Sequence, residues 1–390
     1  MTTTSTGSKA TEVATPSPIP AGPTLTLGRR SIPIVLPKWS DPRLKLSATI
    51  LTLTILGQTI LNFQVSIPQI LACVLPCALI EIAVTMRRER VLIWPASAIQ
   101  TGISVAFIFR VGGTRHGDLW TTRGLQYFLL VVALSMLPKY LLRRNGRHIF
   151  NPSNIGLAWG LLLIGPSHVF SEHLWWAPLG VPVLVSMAVI FGGGWWVLRQ
   201  VRMLPMAGAF LATFFVLIGI FAVGGRSYYA TWHQGPVGGS FYWLTIALSP
   251  ELLIFVFFMI SDPQTSPKSQ LGRVIYAITT ATVAAGLVLL QSTEFGIKVA
   301  ILSSLLVTCA LVPSIERLSG YIQRRRAPVP ASVLVAPPPA LQRRVAAAVR
   351  NPVLVAALII AVAAPVNTAL LARDHKIVLI ERGLTGRSVQ

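Results

Sequence analysis

The chain has 390 residues, of which 53% are hydrophobic and only 12% charged, and its mean hydropathy is +0.66. This composition excludes an ordinary soluble protein and indicates an integral membrane protein. The net charge of +21, from 33 Lys and Arg against 12 Asp and Glu, would suggest a nucleic-acid partner in a soluble chain. In so apolar a chain it is better explained by basic loops that orient the protein in a lipid bilayer, and no nucleic-acid partner is expected.

The N-terminal segment, residues 1–45, opens with a mixture of Thr, Ser and Pro that has almost nothing to bury. We therefore predict a disordered cytoplasmic tail. The segment does not have the pattern of a signal peptide, because a basic start followed by a short apolar core is missing.

From Leu46 onward, apolar runs of about 18 to 22 residues alternate with short charged or Pro/Gly-bearing breaks. About 20 helical residues cross a hydrocarbon core of ~30 Å, so the pattern predicts an all-α integral membrane protein. The eleven predicted spans are 46–64, 68–86, 91–109, 124–141, 152–170, 180–198, 203–223, 248–262, 272–291, 296–315 and 352–372.

The predicted spans divide into a membrane domain, 46–317, and an appended helix. Residues 318–350 are basic and rich in Pro and Ala, which is typical of an extended linker, and residues 351–390 hold the additional helix and an outer tail. About ten helices then form the core. A five-plus-five division would make the two halves inverted, but no convincing internal sequence identity is found, so the repeat is a hypothesis.

The positions of the basic residues predict the orientation. With the N-terminus inside, most Lys and Arg fall in the inner breaks, especially 139–147 and 316–350, whereas the outer breaks are poorer apart from 110–123. The pattern places the N-terminus in the cytoplasm and the C-terminus outside.

A first polar motif precedes the fifth span. Asn151 stands where a helix N-cap is expected and Pro152 at the first helical position, so free amide groups and a partial positive charge would face the cytoplasm. With Lys139 and Arg147 nearby, such a helix end can hold a phosphate or another electron-rich group. The alternative is an ordinary capped helix start beside positive-inside residues.

A second polar motif, ISDPQTSPK at 260–268, closes the eighth span. Asp262 can accept hydrogen bonds from the following turn, and Pro263 and Pro267 stop the helix. The carboxylate could instead bind a cation or orient a polar ring. A purely structural turn is the alternative interpretation.

Ionisable residues within a membrane are costly and are therefore functional candidates. Glu81 lies in the second span about five residues from Arg87; it either pairs with Arg87 or Arg88 or takes part in proton or cation passage. Glu251 opens the eighth span, where an acid in the first turn interacts favourably with the helix dipole, and we favour that structural interpretation.

Haem and metal sites are not expected. All six histidines lie in breaks or at helix ends, whereas a b-type haem needs a buried axial pair on facing helices. Cys73 and Cys77 are one helical turn apart, but such a pair within an apolar helix is more typical of packing than of a ligand site.

Three short motifs resemble a known membrane family. HIFNPSNIG at 148–156 and FFMISDPQTSPKS at 257–269 are similar to its paired F-N-P and T-D-P signatures, and PASAIQTG at 95–102 is similar to its S-A-x-x-T-G helix. The family includes the D subunit of the Rnf electron-transport complex, the B subunit of the sodium-translocating NADH:quinone oxidoreductase, and related proteins encoded with enediyne biosynthesis. The resemblance covers roughly 46–317.

The resemblance implies a multi-pass subunit of a bacterial inner membrane, with two related halves, that binds flavin and takes part in electron transfer coupled to ion movement. Membrane or soluble redox subunits would be its partners. Members with covalent FMN attach it to the Thr of an S-G-A-T-like sequence after the fifth helix, but the corresponding loop here, 167–178, contains no Gly-Ala-Thr. No covalent FMN is expected, and the chain is closest in character to the enediyne-associated branch.

The leading hypothesis is a non-autonomous subunit of an oxidoreductase complex that binds a flavin (FMN or riboflavin) or a quinone non-covalently. The amide side chains would bind ring heteroatoms or cap the helix, the basic side chains would stabilise the reduced cofactor, and Asp262 would position two hydroxyl groups. The predicted cofactor-binding residues are Lys139, Arg147, Asn151, Asn154, Asp262, Thr265 and Ser266, with Glu81 as a candidate for an ion or proton pathway. No catalytic residue is assigned.

Two other hypotheses stay open. The same scaffold suits a transporter or channel for a small metabolite or natural product, because broken helices and a membrane-embedded acid fit that function equally well. A non-catalytic scaffold, in which both motifs are only turns and caps, is the third.

Overall fold

A computed structural model describes residues 23–27, 30–176 and 179–326. The predicted eleventh span, 352–372, and residues 327–350 of the predicted linker lie outside the described residues. The described chain is mostly helical, as expected for an all-α membrane protein.

Within the described residues, eleven α-helices and one π-helical turn build the membrane body. They are α1 (Pro42–Thr59), α2 (Ile67–Glu89), α3 (Ala96–Ile108), α4 (Leu125–Leu141), α5 (Pro152–Ile164), α6 (Val181–Gln200), α7 (Leu204–Val223), α8 (Gly239–Ala247), α9 (Pro250–Ile254), the π turn (Phe255–Met259), α10 (Gln270–Leu289) and α11 (Glu294–Arg326). Six stretches are long and apolar enough to cross a membrane, the stretch Gly239–Met259 among them, and α3, α4 and α5 are shorter apolar helices. Each of the ten predicted core spans is found as a helical segment.

The helix starts follow from local sequence. Ser66 and Gln69 form a capping box before α2: the Ser66 hydroxyl accepts from the Gln69 amide at 3.3 Å, and the Gln69 side chain accepts from the Ser66 amide at 2.9 Å. Asn151 caps α5 and Ser269 caps α10 through their side-chain oxygens, which accept from the amides of Asn154 and Gly272. These caps satisfy backbone N–H groups that helices leave free at their first turn.

The neighbour relations of the helices repeat in the two halves. Helix α2 packs on α3 and α4, as α7 packs on α8 and α10, while α4 packs on α5 as α10 packs on α11. Across the halves, α1 contacts α6 and α5 contacts α11. Lys45 at the start of α1 binds Gln200 at the end of α6, so these two helices run in opposite directions. The arrangement agrees with the hypothesis of an inverted five-plus-five repeat.

Short strands join the breaks. An antiparallel hairpin of β1 (Thr24–Leu27) and β2 (Arg30–Val35) extends by parallel pairing of β2 with β3 (Leu92–Ile93). The other pairs are antiparallel: β4 (Phe109–Val111) with β7 (Val169–Ser171), β5 (Arg143–Arg144) with β6 (Arg147–His148), and β8 (Ser227–Tyr229) with β9 (Pro236–Gly238).

Three predicted boundaries differ from the structure. Residues 24–27 and 30–35, placed within the disordered segment 1–45, form the paired strands β1 and β2, because Thr, Ile and Val favour strands and β3 offers a pairing edge. The eighth span begins at Gly239 rather than 248, interrupted at Ser249 before Pro250. Helix α11 continues to Arg326, into the linker predicted for 318–350, because no proline follows Pro313 before residue 328.

The breaks gather at two ends of the helix bundle. The motif side holds residues 35–45, 89–95, 142–151, 200–204 and 260–269, which are joined by contacts such as β2 with β3 and Gln200 with Ser40. The opposite side holds residues 60–66, 109–124, 165–176, 224–238 and 290–293, joined by β4 with β7 and by Ser66 with Thr121. The predicted orientation makes the motif side cytoplasmic.

Candidate functional site

The two polar motifs meet on the motif side. The ring nitrogen Nε2 of His148 lies 3.3 Å from Oδ2 of Asp262, and the side-chain amide of Asn151 donates to the Met259 carbonyl at 3.2 Å. Residues separated by more than a hundred positions in the sequence therefore form one contact region. This agrees with the prediction that both motifs lie on the same side of the membrane.

Asn151 and Asn154 are buried and hold helices together. Oδ1 of Asn151 accepts from the Asn154 amide at 3.2 Å and from the Ser153 hydroxyl at 2.9 Å, which is the predicted N-cap. The Asn154 side chain donates to the Leu302 carbonyl in α11 at 2.9 Å. Its Oδ1 has no hydrogen-bond partner among the described residues.

Asp262 organises the turn after the π-helical segment. Its carboxylate accepts from the Gln264 amide at 2.9 Å, and its backbone carbonyl accepts from the amides of Thr265 and Ser266 at 3.2 and 3.1 Å. Both hydroxyl residues are buried, and Oγ of Ser266 has no hydrogen-bond partner within the described part of the chain. Asp262 thus shapes the turn that carries them.

Among the described residues, the two basic residues of the first motif form no hydrogen bond or ion pair with the second motif. Arg147 is exposed in β6. Lys139 is buried, and its ammonium group lies 3.0 Å from Oε1 of Glu81 and 3.0 Å from the Ser97 hydroxyl. The other oxygen of Glu81 accepts from the Ala98 amide at 2.7 Å. These contacts join α4 to α2 and to the first turn of α3.

The partner predicted for Glu81 was therefore wrong. Arg87 and Arg88 are exposed in the last turn of α2, whereas Lys139 reaches Glu81 inside the bundle. A carboxylate in an apolar interior requires a close cation and further hydrogen bonds, and Lys139 together with the start of α3 supplies both.

A second group of buried charges occupies the opposite side. Arg110, in β4, is 0% exposed, and its guanidinium donates to the carbonyls of Ala106 and Phe109, both at 2.9 Å. Its Nη2 lies 2.7 Å from Oε2 of Glu172. The guanidinium also lies 5.0 Å from the centre of the Phe63 ring, a favourable distance for a cation–π contact.

Lys298, in the second turn of α11, links three segments. Its ammonium donates to the carbonyls of Ser171 and Glu172, the former at 3.2 Å. It lies 3.2 Å from Oε1 of Glu294 and 3.7 Å from Oε2 of Glu251. The two halves of the bundle therefore meet at this side chain, since Ser171 and Glu172 follow α5.

The two remaining carboxylates differ in their partners. Glu294 accepts from the Leu174 amide at 2.7 Å and from the Trp232 indole at 2.9 Å, and His173 lies 3.5 Å away. Glu251 accepts from the Ser171 hydroxyl through Oε1. We call this group the opposite-side cluster, and its members are Arg110, Ser171, Glu172, His173, Glu251, Glu294 and Lys298.

A small cavity adjoins the cluster. Its volume is about 20 Å³, which is enough for about one water molecule. The π-helical turn forms part of its wall, and such turns occur frequently at functional sites. The cavity is lined by Ile108, Leu174, Glu251, Leu252, Phe255, Met259, Lys298, Ile301 and Leu302.

Sequence reasoning missed most of this cluster. Arg110 fell in the break 110–123, which was used only to predict the orientation, Glu251 was interpreted through the helix dipole, and Glu172, Glu294 and Lys298 were not singled out. The available signal was that each of these residues except Glu172 stands beside apolar residues, in a chain with only 12 acids. A charged residue at the end of a span lies either exposed in a break or buried in the bundle. Only the packing of α5, α9 and α11 shows which of the two environments each of these residues has.

Residues 169–325 match the model of the NQR2, RnfD, RnfE family. Over this segment the chain is similar to that family. The matched segment holds the second motif and every residue of the opposite-side cluster except Arg110, whereas the first motif precedes it. A comparison with curated proteins gave no match. The likeness to the enediyne-associated branch stays a prediction.

The residues predicted to bind flavin do not form a ready-made flavin pocket. Asn151 uses both its amide nitrogen and its oxygen within the protein, and Lys139 is held by Glu81. The buried side-chain atoms of the predicted set that have no hydrogen-bond partner among the described residues are Oδ1 of Asn154 and Oγ of Ser266. The cavity beside Glu251 is far smaller than the several hundred Å³ typical of cofactor pockets.

Proposed function

We propose that the chain is the membrane subunit of an electron-transport complex in which electron transfer is coupled to movement of an ion. The observation that carries the proposal is the opposite-side cluster, most of whose members are buried and all of whose members except Arg110 lie within the segment that matches the NQR2, RnfD, RnfE family. Ionisable groups in the interior of a membrane protein mark ion or proton pathways. Here they are concentrated where the two halves of the bundle meet.

The position of the cluster supports coupling between the halves. Lys298 and Glu251 belong to the second half, and Arg110 and Glu172 belong to the first. The ammonium of Lys298 binds the Glu172 carbonyl, so a change of charge at Glu251 or Glu294 would alter a contact between halves. Such a contact is suited to a transition in which one half moves against the other.

The non-covalent flavin or quinone remains part of the proposal. It would use the free atoms of Asn154 and Ser266 on the motif side, and it would require local opening there because both atoms are buried. When bound, it would supply the redox chemistry, while this chain supplies orientation and electrostatics. In the proposed complex, further membrane or soluble subunits deliver the electrons, and the membrane is the bacterial inner membrane.

The experiment is purification of the tagged full-length chain from membranes of its source organism. We expect flavoprotein or iron–sulfur subunits to co-purify, and vesicles lacking this chain to lose NADH-driven electron transfer. If the chain instead purifies alone, and its loss changes uptake or export of a metabolite with no change in electron transfer, the transporter alternative replaces the proposal. In the same vesicles Glu251→Gln should reduce electron transfer, and Glu89→Gln, at an exposed carboxylate of α2, is its control.

A further inference from the structure

The charges of the opposite-side cluster do not balance. Three carboxylates, those of Glu172, Glu251 and Glu294, face two permanent cations, Arg110 and Lys298, and His173 beside Glu294 adds a third cation only when its ring is protonated. With His173 neutral, the fully ionised cluster would carry one uncompensated negative charge inside an apolar bundle. Burying such a charge is costly, whereas one bound proton makes the cluster neutral.

The hydrogen bonds indicate which carboxylate holds that proton. Glu172 lies 2.7 Å from Arg110, and Glu294 accepts from a backbone amide and an indole and lies 3.2 Å from Lys298. Glu251 accepts from the Ser171 hydroxyl, but its Oε2 is buried without a hydrogen-bond partner among the described residues and lies 3.7 Å from Lys298. Its charged form is therefore the least stabilised of the three.

We propose that Glu251 binds an exchangeable proton, and that His173, Glu294 and Lys298 connect Glu251 to the surface of the opposite side. This inference deepens the ion coupling of the proposed function and rests on it for its physiological role. The path starts at His173, whose side chain is 32% exposed and lies 3.5 Å from Glu294. It continues over 3.2 Å to Lys298 and 3.7 Å to Glu251.

The cavity provides the inward end of this path. It is lined by Glu251 and also by Met259 and Leu302, whose carbonyls accept the side-chain amides of Asn151 and Asn154. A single water molecule in the cavity could accept the proton from Glu251. The proton site thus lies between the opposite side and the motif side. In the predicted orientation the opposite side is the outer surface and the motif side is the inner surface.

The geometry favours a proton over a metal cation. The Lys298 ammonium already binds the carbonyls of Ser171 and Glu172 and lies close to Glu294 and Glu251. A sodium ion at Glu251 would lie next to this positive charge and be repelled. The adjoining cavity holds about one water molecule, too little for the several oxygen ligands that a metal cation takes.

The test is infrared difference spectroscopy of the purified full-length protein between acidic and alkaline pH. We expect a carbonyl band of a protonated carboxylic acid that disappears at high pH. Glu251→Gln should remove the band, and Glu89→Gln should keep it. The proposal is overturned if Glu251→Gln leaves the band unchanged, or if sodium ions abolish it at constant pH.

Two further variants keep the test decisive if Glu251→Gln does not fold. Lys298→Met leaves three carboxylates with one cation, so protonation should extend to higher pH; an unchanged titration would contradict the charge balance. His173→Ala should slow proton exchange at the band and leave its size unchanged, and an unaltered exchange rate would contradict the path. Since the band reports proton occupancy, it remains informative even if the protein carries no electrons.

Discussion

Removal of Arg110 is the most direct test of the buried charges on the opposite side. In Arg110→Met, the Glu172 carboxylate loses the guanidinium 2.7 Å away and stays buried without a compensating cation. Breaking a buried ion pair in this way costs about 3–5 kcal/mol. If Glu172→Gln is added, the unpaired charge disappears, and the main remaining loss is two hydrogen bonds to carbonyls, about 1 kcal/mol each.

The double variant is therefore expected to be more stable than Arg110→Met alone, by about 1–3 kcal/mol from the difference between these two costs. The measurement is unfolding in one detergent at one pH, followed by circular dichroism. Arg226→Met, at an exposed arginine, is the control and should change stability by less than about 0.5 kcal/mol. If the effects of Arg110→Met and Glu172→Gln simply add, or if Arg110→Met matches the control, the ion pair is not what stabilises this region.

Three further predictions concern local packing, capping and pH dependence. Gly102→Ala would place a methyl group 2.7 Å from the backbone of α2 and should cost about 1–3 kcal/mol, while Gly192→Ala meets open space and should be neutral or mildly stabilising in the same unfolding assay. Asn151→Ala removes the cap of α5 and should cost about 1–2 kcal/mol; unchanged stability would argue against its structural role. The side-chain hydrogen bond from Arg43 holds the pKa of Asp41 below its ordinary value of 3.8. This cap therefore stabilises the fold above that pH, and the stability difference between wild type and Asp41→Asn should vanish as pH falls through the lowered pKa.

The fold was largely predictable because its strongest signals are local. Apolar runs indicated each of the ten core segments, and caps such as Asn151 with Pro152 marked helix starts to within a residue. The eighth span was less clear because its first turn contains Ser240 and Tyr242, which the hydropathy pattern assigned to a break. The hairpin at 24–35 was missed because its pairing partner, β3, lies some sixty residues away.

The charged sites were harder to predict because their partners are distant in sequence. Glu81 was recognised as a membrane-embedded acid, but its cation is Lys139, on another helix. Arg110 and Glu172 are brought together by the pairing of β4 with β7, which no local pattern announces. The meeting of the two motifs was predictable, since both were placed on one side, but the exact bond from Asn151 to the Met259 carbonyl was not.

The central claim is that this chain serves an electron-transport complex, and the visible spectrum of the purified complex tests it most directly. The account predicts a redox difference between the oxidised and dithionite-reduced states, with yellow flavin released into the supernatant by acid, or an extractable quinone. Colour that stays on the precipitate would show covalent FMN against the prediction from loop 167–178. A preparation that contains neither a redox-active group nor any redox subunit would contradict the account.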